Sequence, residues 1–255
     1  MKHNIITVLF ATALVVLGFI FWQTDYVFYI LAAVFLLYII VTVYGVFTIQ
    51  SNYFLTSLNK GKSNAVTLTF DDGPDPVQTP LILAALKEQE VKATFFLIGK
   101  KADQYPELVN QIVQEGHIVG NHSYSHHMLI GFFSRRRLKK DLEQCNAVIE
   151  QITGKRPLYF RPPFGVTNPR YADVLKELGM QSVGWSLRSL DTKAKNKYAL
   201  IERILVRLKK KDIILLHDNQ EVTADAIDDI VQHCRQKKIA IETLDWVTKT
   251  AAYAS

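Results

Sequence analysis

In Leu68-Thr-Phe-Asp-Asp-Gly-Pro74, an apolar alternation runs into two adjacent carboxylates and then into a turn. Asp, Gly and Pro are ordinary turn residues, so a solvated turn explains the composition. It does not explain the charge. Two carboxylates that close repel unless a cation or a shared proton offsets them. The run AVTLTF (65–70) in front of the pair reads as a strand, which puts Asp71 and Asp72 at its C-terminal end.

Strand-like and helical runs alternate from there to the C-terminus. Helical patterns cover 77–89 and 105–115, the latter stopped by Gly116. Others run from a Ser134 cap to about Gln151 before the Gly154 break, then over 168–178, 198–210 and 222–236. Strand patterns cover VKATFFLIG (91–99), HIVGNHS (117–123, strand then loop), LYF (158–160), QSVGWSL (181–187), DIILLH (212–217) and 239–244. The near-unbroken apolarity of 212–217 suits a strand buried on both faces. Repeated strand–helix units imply an α/β fold with a parallel sheet of about seven strands, open or closed into a barrel. In a barrel the chemistry belongs at the C-terminal strand ends. Asp71, Asp72, His122, Arg161, Asp191 and His217 all fall at or just after such ends.

The N-terminal side is different. Residues 5–22 and 26–50 carry no charged side chain, and each exceeds or approaches the about 20 residues that cross a hydrocarbon core. Only Gln23, Thr24 and Asp25 separate them, so a tight transmembrane hairpin is expected over residues 1–52. A linker (53–63) and a catalytic domain (64–250) would follow. Lys2 flanks the first run and Lys60 and Lys62 follow the second, which favours both flanks, and the polar domain, on the cytoplasmic side. The opposite, outward-facing arrangement is the alternative. The net charge of +6 belongs to the polar domain and suits an anionic bilayer surface. No arginine–aromatic pattern points to nucleic acid. Cys145 and Cys234 are far apart and lack metal-like spacing, as free thiols of a reducing compartment would be.

His122-Ser-Tyr-Ser-His126 is the second informative stretch. Imidazoles four apart lie on one face of a helical turn and can grip one divalent ion, zinc above all. Surface histidines produce the same spacing, but a carboxylate partner is at hand. One Asp on the metal and its neighbour free as a base would account for the opening pair. The spacing leaves open which takes which role, and His127 competes with His126 as a ligand.

TFDDGP (69–74), HSYSH (122–126), RPPFG (161–165) and LLH (215–217), in that order and spacing, resemble the polysaccharide deacetylases of the NodB-homology type, over roughly residues 64–245. The resemblance implies a distorted (β/α) barrel with one divalent metal, usually zinc. The implied reaction removes N-acetyl, or sometimes O-acetyl, groups from amino sugars. It further implies Asp71 as general base, Asp72, His122 and His126 as metal ligands, and Arg161 as the residue tuning Asp71. The Phe164 backbone N–H would serve the oxyanion, Leu215 would line the acetyl pocket, and His217 would be the general acid.

The match departs at one element. Where the family reads Asp-x-x-Asp-Trp, this chain has Arg188-Ser-Leu-Asp191-Thr192. Asp191 is left to pair with Arg161, and an added cation replaces an acid at Arg188. A guanidinium there suits a phosphate or carboxylate. The run from Phe132 to Lys140, two aromatics before five basic residues, reads as a solvated helix face or as a contact with anionic headgroups. The expected partners are therefore an amino-sugar glycan or a lipid-linked sugar, and membrane lipids. Competing readings are a deformylase or esterase using the same water attack, and a non-catalytic glycan-binding membrane protein on this scaffold.

Overall fold

The computed structural model describes residues 2–254. Two N-terminal helices, α1 (Lys2–Phe21) and α2 (Val27–Phe47), are long and apolar enough to cross a membrane and are almost wholly unburied by the rest of the chain. They form an antiparallel pair. The polar part follows as β1 (Ser57–Leu58), β2 (Thr67–Gly73), α3 (Gln78–Glu88), β3 (Thr94–Leu97), α4 (Gly99–Gln104), α5 (Pro106–Gln114) and β4 (Ile118–Asn121). Next come α6 (Arg135–Thr153), β5 (Tyr159–Phe160), α7 (Pro169–Leu178), β6 (Gln181–Val183) and β7 (Leu187–Arg188). The chain ends with α8 (Lys197–Arg207), β8 (Ile213–His217), α9 (Glu221–Ala224), α10 (Ile227–Gln236) and α11 (Leu244–Thr248).

The eight strands form one parallel sheet in the order β1-β6-β5-β4-β3-β2-β8-β7. Its curl is forced by the chain itself. β6 lies next to one edge and β7 is the other edge, yet only Gly184-Trp185-Ser186 join them. Three linking residues span little more than about 14 Å fully extended, so the edges must come round towards each other. The Gly184 N–H bonds the Leu58 carbonyl on one edge, and the Ser186 N–H bonds Ile213 on the other. The expectation of a single strand over 181–187 therefore becomes two strands from opposite sides of the sheet. The expected strand at 239–244 reduces to one parallel bridge, Ile241 with Val66, before α11 begins.

Side-chain alternation sorts the core. Leu68, Phe70, Phe95, Leu97, Ile214 and Leu216 face outwards and pack beneath the helices. Phe96, Tyr159, Val183, Trp185, Ile213 and Leu215 fill the concave side. Both faces are covered, which is why these strands read as apolar runs rather than as clean alternations. The helix ends follow their sequence signals. The Ser134 hydroxyl accepts from the Arg137 N–H, Asn168 accepts from Arg170 and Tyr171, and Gly154 ends α6 in the left-handed conformation (φ 68°).

A third apolar cluster joins the hairpin to the domain. Tyr53, Phe54 and Leu55 pack with Ile130, Phe133, Leu138 and Tyr171, and Ile6, Val41 and Val46 close over them. The His3 N–H bonds the Tyr53 carbonyl and the Lys2 ammonium bonds the Ser51 carbonyl. Both outer ends of the hairpin thus meet the domain on one side.

Candidate active site

β2 carries the opening pair. In a regular strand Asp71 and Asp72 would point to opposite faces. Here the register with β3 slips between Asp71 and Gly73, and Asp72 is bulged out with φ 75°. That bulge, rather than the following Gly-Pro turn, lets both carboxylates enter one cleft. A Cβ at Gly73 would overlap the Asp218 carboxylate behind it, so the turn has no room for a side chain.

Asp71 is almost fully buried and pairs with Arg161, whose Nη1 lies 2.7 Å from Oδ1. Arg161 is the largest fully buried side chain. Its Nη1 also donates to Thr69, its Nη2 to the Gly184 carbonyl, and its guanidinium lies 4.2 Å from the centroid of the Phe96 ring. The β2–β8 register sets Asp71 beside His217. Both therefore lie on the concave face, as does Leu215 two residues before His217.

His122 follows the last residue of β4. Its Nδ1 lies 2.8 Å from the Arg161 carbonyl, which only a protonated Nδ1 can bond, leaving Nε2 with a free lone pair. That Nε2 is 3.4 Å from Asp72 Oδ1, and His126 Nε2 is 3.1 Å from the same oxygen. One ligand atom from each of the three residues lies within 4.8 Å of the others. The expected helical turn at 122–126 is instead an irregular loop with Ser123 and His126 at positive φ (68° and 44°). Side chains hold it in place of helical bonds. Asn121 accepts from the Ser123 N–H, Ser123 from His126, and Asp141 from Tyr124. His127 is exposed and packs on Phe133, away from this cluster.

The donor set fits a divalent ion. Two imidazole nitrogens and one carboxylate are the ligand types of catalytic zinc sites, and the bond at His122 Nδ1 is the usual orienting contact for such a ligand. The electrostatics agree. Burial lowers the His122 pKa, but Asp71 and Asp72 outweigh it and the net shift is upward. Burial raises the Asp72 pKa, and the two histidines overcome that and hold it far below the carboxylate range. The negative field that favours a proton on His122 also favours a cation beside it, and a metal ligated there takes that proton's place.

Asp191 does not pair with Arg161. It holds His217: its Oδ1 lies 2.8 Å from His217 Nδ1, and its Oδ2 accepts the His217 N–H and the Thr223 hydroxyl. The reason is connectivity. Residues 187–193 lie along β8, on the far side of β2 from β5, which leads into Arg161. Burial lowers the His217 pKa, but Asp191, with Asp71 and Asp72 behind it, raises it to about 9.

Phe164 (φ 61°), Gly165, Trp185, Arg188 and Thr192 complete a cleft of about 240 Å³ with Asp71, Asp72, His122, His126, Leu215 and His217. Arg188 is exposed at its rim, its guanidinium 5.9 Å from the Trp185 ring centroid. Trp185 itself is mostly core. The basic run is partly used by the protein itself: Arg135 and Lys139 pair with Glu177, and Arg137 covers the Phe133 ring. Sequence reading missed Asp218, which is fully buried, accepts from Thr79, and has its pKa pushed up to about 7 by burial. Only its place after His217 marks it.

A curled parallel sheet carries this donor triad, with Asp71 and His217 beside it, at its C-terminal strand ends, an arrangement suited to a hydrolase. A family model described as polysaccharide deacetylase matches residues 59–183. The peptidoglycan-N-acetylmuramic acid deacetylase PdaA of Bacillus subtilis (strain 168) is 33% identical over 193 residues, 74% of this chain and 73% of that protein. The peptidoglycan-N-acetylmuramic acid deacetylase PdaC of the same strain is 38% identical over 170 residues, 66% of this chain, which spans only 35% of that relative. A crystal structure of the Bc1960 peptidoglycan N-acetylglucosamine deacetylase superposes with TM-score 0.75 at 29% identity, covering 78% of this chain and 95% of that one. The chain belongs to the polysaccharide deacetylase family.

The two aspartates should separate in a stability measurement. With metal chelated, Asp71→Ala leaves the Arg161 guanidinium buried without its anion and should lose about 3–5 kcal/mol. Asp72→Ala should lose clearly less, because Asp72 faces the cleft and neutralises no buried arginine. Denaturation midpoints of the detergent-solubilised chain test this, and equal losses would contradict it.

Proposed function

We propose that the chain hydrolyses the N-acetyl amide of an amino sugar with one divalent ion, zinc, held by Asp72, His122 and His126. The observation that carries this reading is the placing of Asp71 and His217 in neighbouring register beside that donor triad, each held by its own buried partner. When bound, such an ion supplies Lewis-acid polarisation of an acyl oxygen and makes water a stronger acid. Asp71 then takes a proton from the attacking water as its oxygen adds to the amide carbon. The Phe164 N–H faces the oxygen on which negative charge develops, where a fixed donor gains most. His217, cationic at neutral pH, gives its proton to the nitrogen as the C–N bond breaks, because an amine is too basic to leave unprotonated. Acetate and the free amino sugar leave. Leu215 offers the methyl group an apolar wall.

The named activities of PdaA, PdaC and Bc1960 support an N-acetylated sugar as substrate, either in a glycan or linked to a lipid. We assign α1 and α2 as membrane spans, with the domain on the cytoplasmic side from the lysines at both hairpin ends. On that side a lipid-linked sugar is within reach and mature peptidoglycan is not. An alkaline phosphatase fused after Ser255 should stay inactive; strong activity would place the domain outside.

The metal assignment has a readout independent of turnover. His122→Ala/His126→Ala protein should purify folded but without zinc, and should release neither acetate nor formate from N-acylated chito-oligosaccharides. Zinc content equal to that of the parent would overturn the ligand set.

The pH profile tests the acid. The His217 pKa stands above its ordinary value of 6.5, so its pairing with Asp191 stabilises fully below about 6.5 and is lost as pH rises through about 9. A dication in the cleft opposes that proton, so kcat/KM should fall on a limb at or below about 9. Asp191→Asn should move that limb to lower pH. An unmoved limb would remove His217 from the role.

A further inference from the structure

A second cleft, of about 440 Å³, opens where the hairpin meets the domain. Its wall is Val46 and Phe47 from the end of α2, Met128, Ile130 and Phe132 from the loop after His126, and Phe164. Ile130 and Val46 belong to the packed cluster beneath, but the other apolar side chains are not core: Phe47 is 68% exposed, Met128 84%, Phe132 83% and Phe164 53%. An apolar patch of this kind on a polar domain marks a binding surface.

Three observations identify the occupant. The cleft is continuous with the membrane span, since the last residues of α2 form part of it. That join is built: the Thr167 N–H bonds the Val46 carbonyl and its hydroxyl bonds the Gly45 carbonyl, tying the end of α2 to the segment that carries Phe164. Phe164 also lines the catalytic cleft, so whatever fills one site abuts the other. At the edge stands Arg170, exposed and without a salt bridge among the described residues, a guanidinium suited to phosphate.

We propose that this cleft takes the hydrocarbon chain of a lipid-linked amino sugar, with Arg170 beside its phosphate and the sugar reaching the Asp71–His217 cleft. The proposal rests on the deacetylase reading and narrows its substrate. A polymer has no chain to place here. A lipid carrier does, and each methylene buried strengthens binding roughly fourfold.

The test compares the farnesyl and methyl esters of N-acetylglucosaminyl diphosphate with the full, zinc-loaded chain in detergent micelles. Calorimetric affinity is measured for both, and acetate release for both and for chitotetraose. The farnesyl ester should bind at least about tenfold more tightly than the methyl ester. Phe132→Asp should abolish that advantage and Phe132→Leu should keep it, with acetate release from chitotetraose unchanged in either variant. Equal affinity for the two esters would overturn the proposal. So would a Phe132→Asp effect shared by both esters, or phosphatidylglycerol competing as well as the farnesyl ester, which would make the cleft a general lipid site. A farnesyl advantage with no acetate from any compound would support the cleft and sink the deacetylase reading instead.

Discussion

One buried guanidinium holds the site together. Arg161 reaches across the concave face to Asp71 on β2, to Thr69 beside it, to the Gly184 carbonyl where the sheet curls shut, and over the Phe96 ring of β3. Its own backbone carbonyl takes the Nδ1 proton of His122. A single residue therefore orients the proposed base, sets the tautomer of a proposed metal ligand and ties the strands that carry both. A charge so deeply buried is tolerable only with its anion in place, which makes Asp71 structural as well as chemical.

The remaining geometry is built from backbone that ordinary residues avoid. Asp72, His126 and Phe164 line the cleft at positive φ, and Ser123, which follows His122, shares it. Such conformations cost about 1–3 kcal/mol each and persist where surrounding contacts over-determine them. At Ser123 and His126 those contacts are the Asn121 and Ser123 side chains, and at Phe164 the aromatic ring of His126, 4.8 Å away. At Asp72 and His126 these conformations bring side-chain donor atoms within 4.8 Å of one another and of His122.

Much of this was legible beforehand. The alternation before Asp71, the capping residues Ser134 and Asn168, and the apolar run ending at His217 specify local structure by short-range rules that hold here. The paired carboxylates and the histidines four apart marked out Asp72, His122 and His126, which the fold brings within ligand distance of one another. What stayed hidden depends on topology. Residues 181–187 read as one strand because nothing local shows that Gly184 to Ser186 cross between sheet edges. The Asp191–His217 pair follows from that crossing, so spacing alone sent Asp191 to Arg161. The loop at 122–126 mimics a helical turn in spacing, but Asn121, Ser123 and the distant Asp141 take its N–H groups instead. Asp218 was invisible because its environment is made by Thr79 and Gly73, far away in the chain.

The two clefts meet at Phe164, one polar and one apolar, at the end of the domain joined to the hairpin. That arrangement links the polar cleft to the apolar hairpin through a few residues. Everything chemical, however, rests on where the cation binds. Anomalous diffraction at the zinc edge from crystals of the full chain measures this directly. The account predicts one peak about 2.0–2.2 Å from His122 Nε2, His126 Nε2 and an Asp72 oxygen, with Asp71 still on Arg161. A peak coordinated by Asp71, or zinc bound only elsewhere, would contradict it.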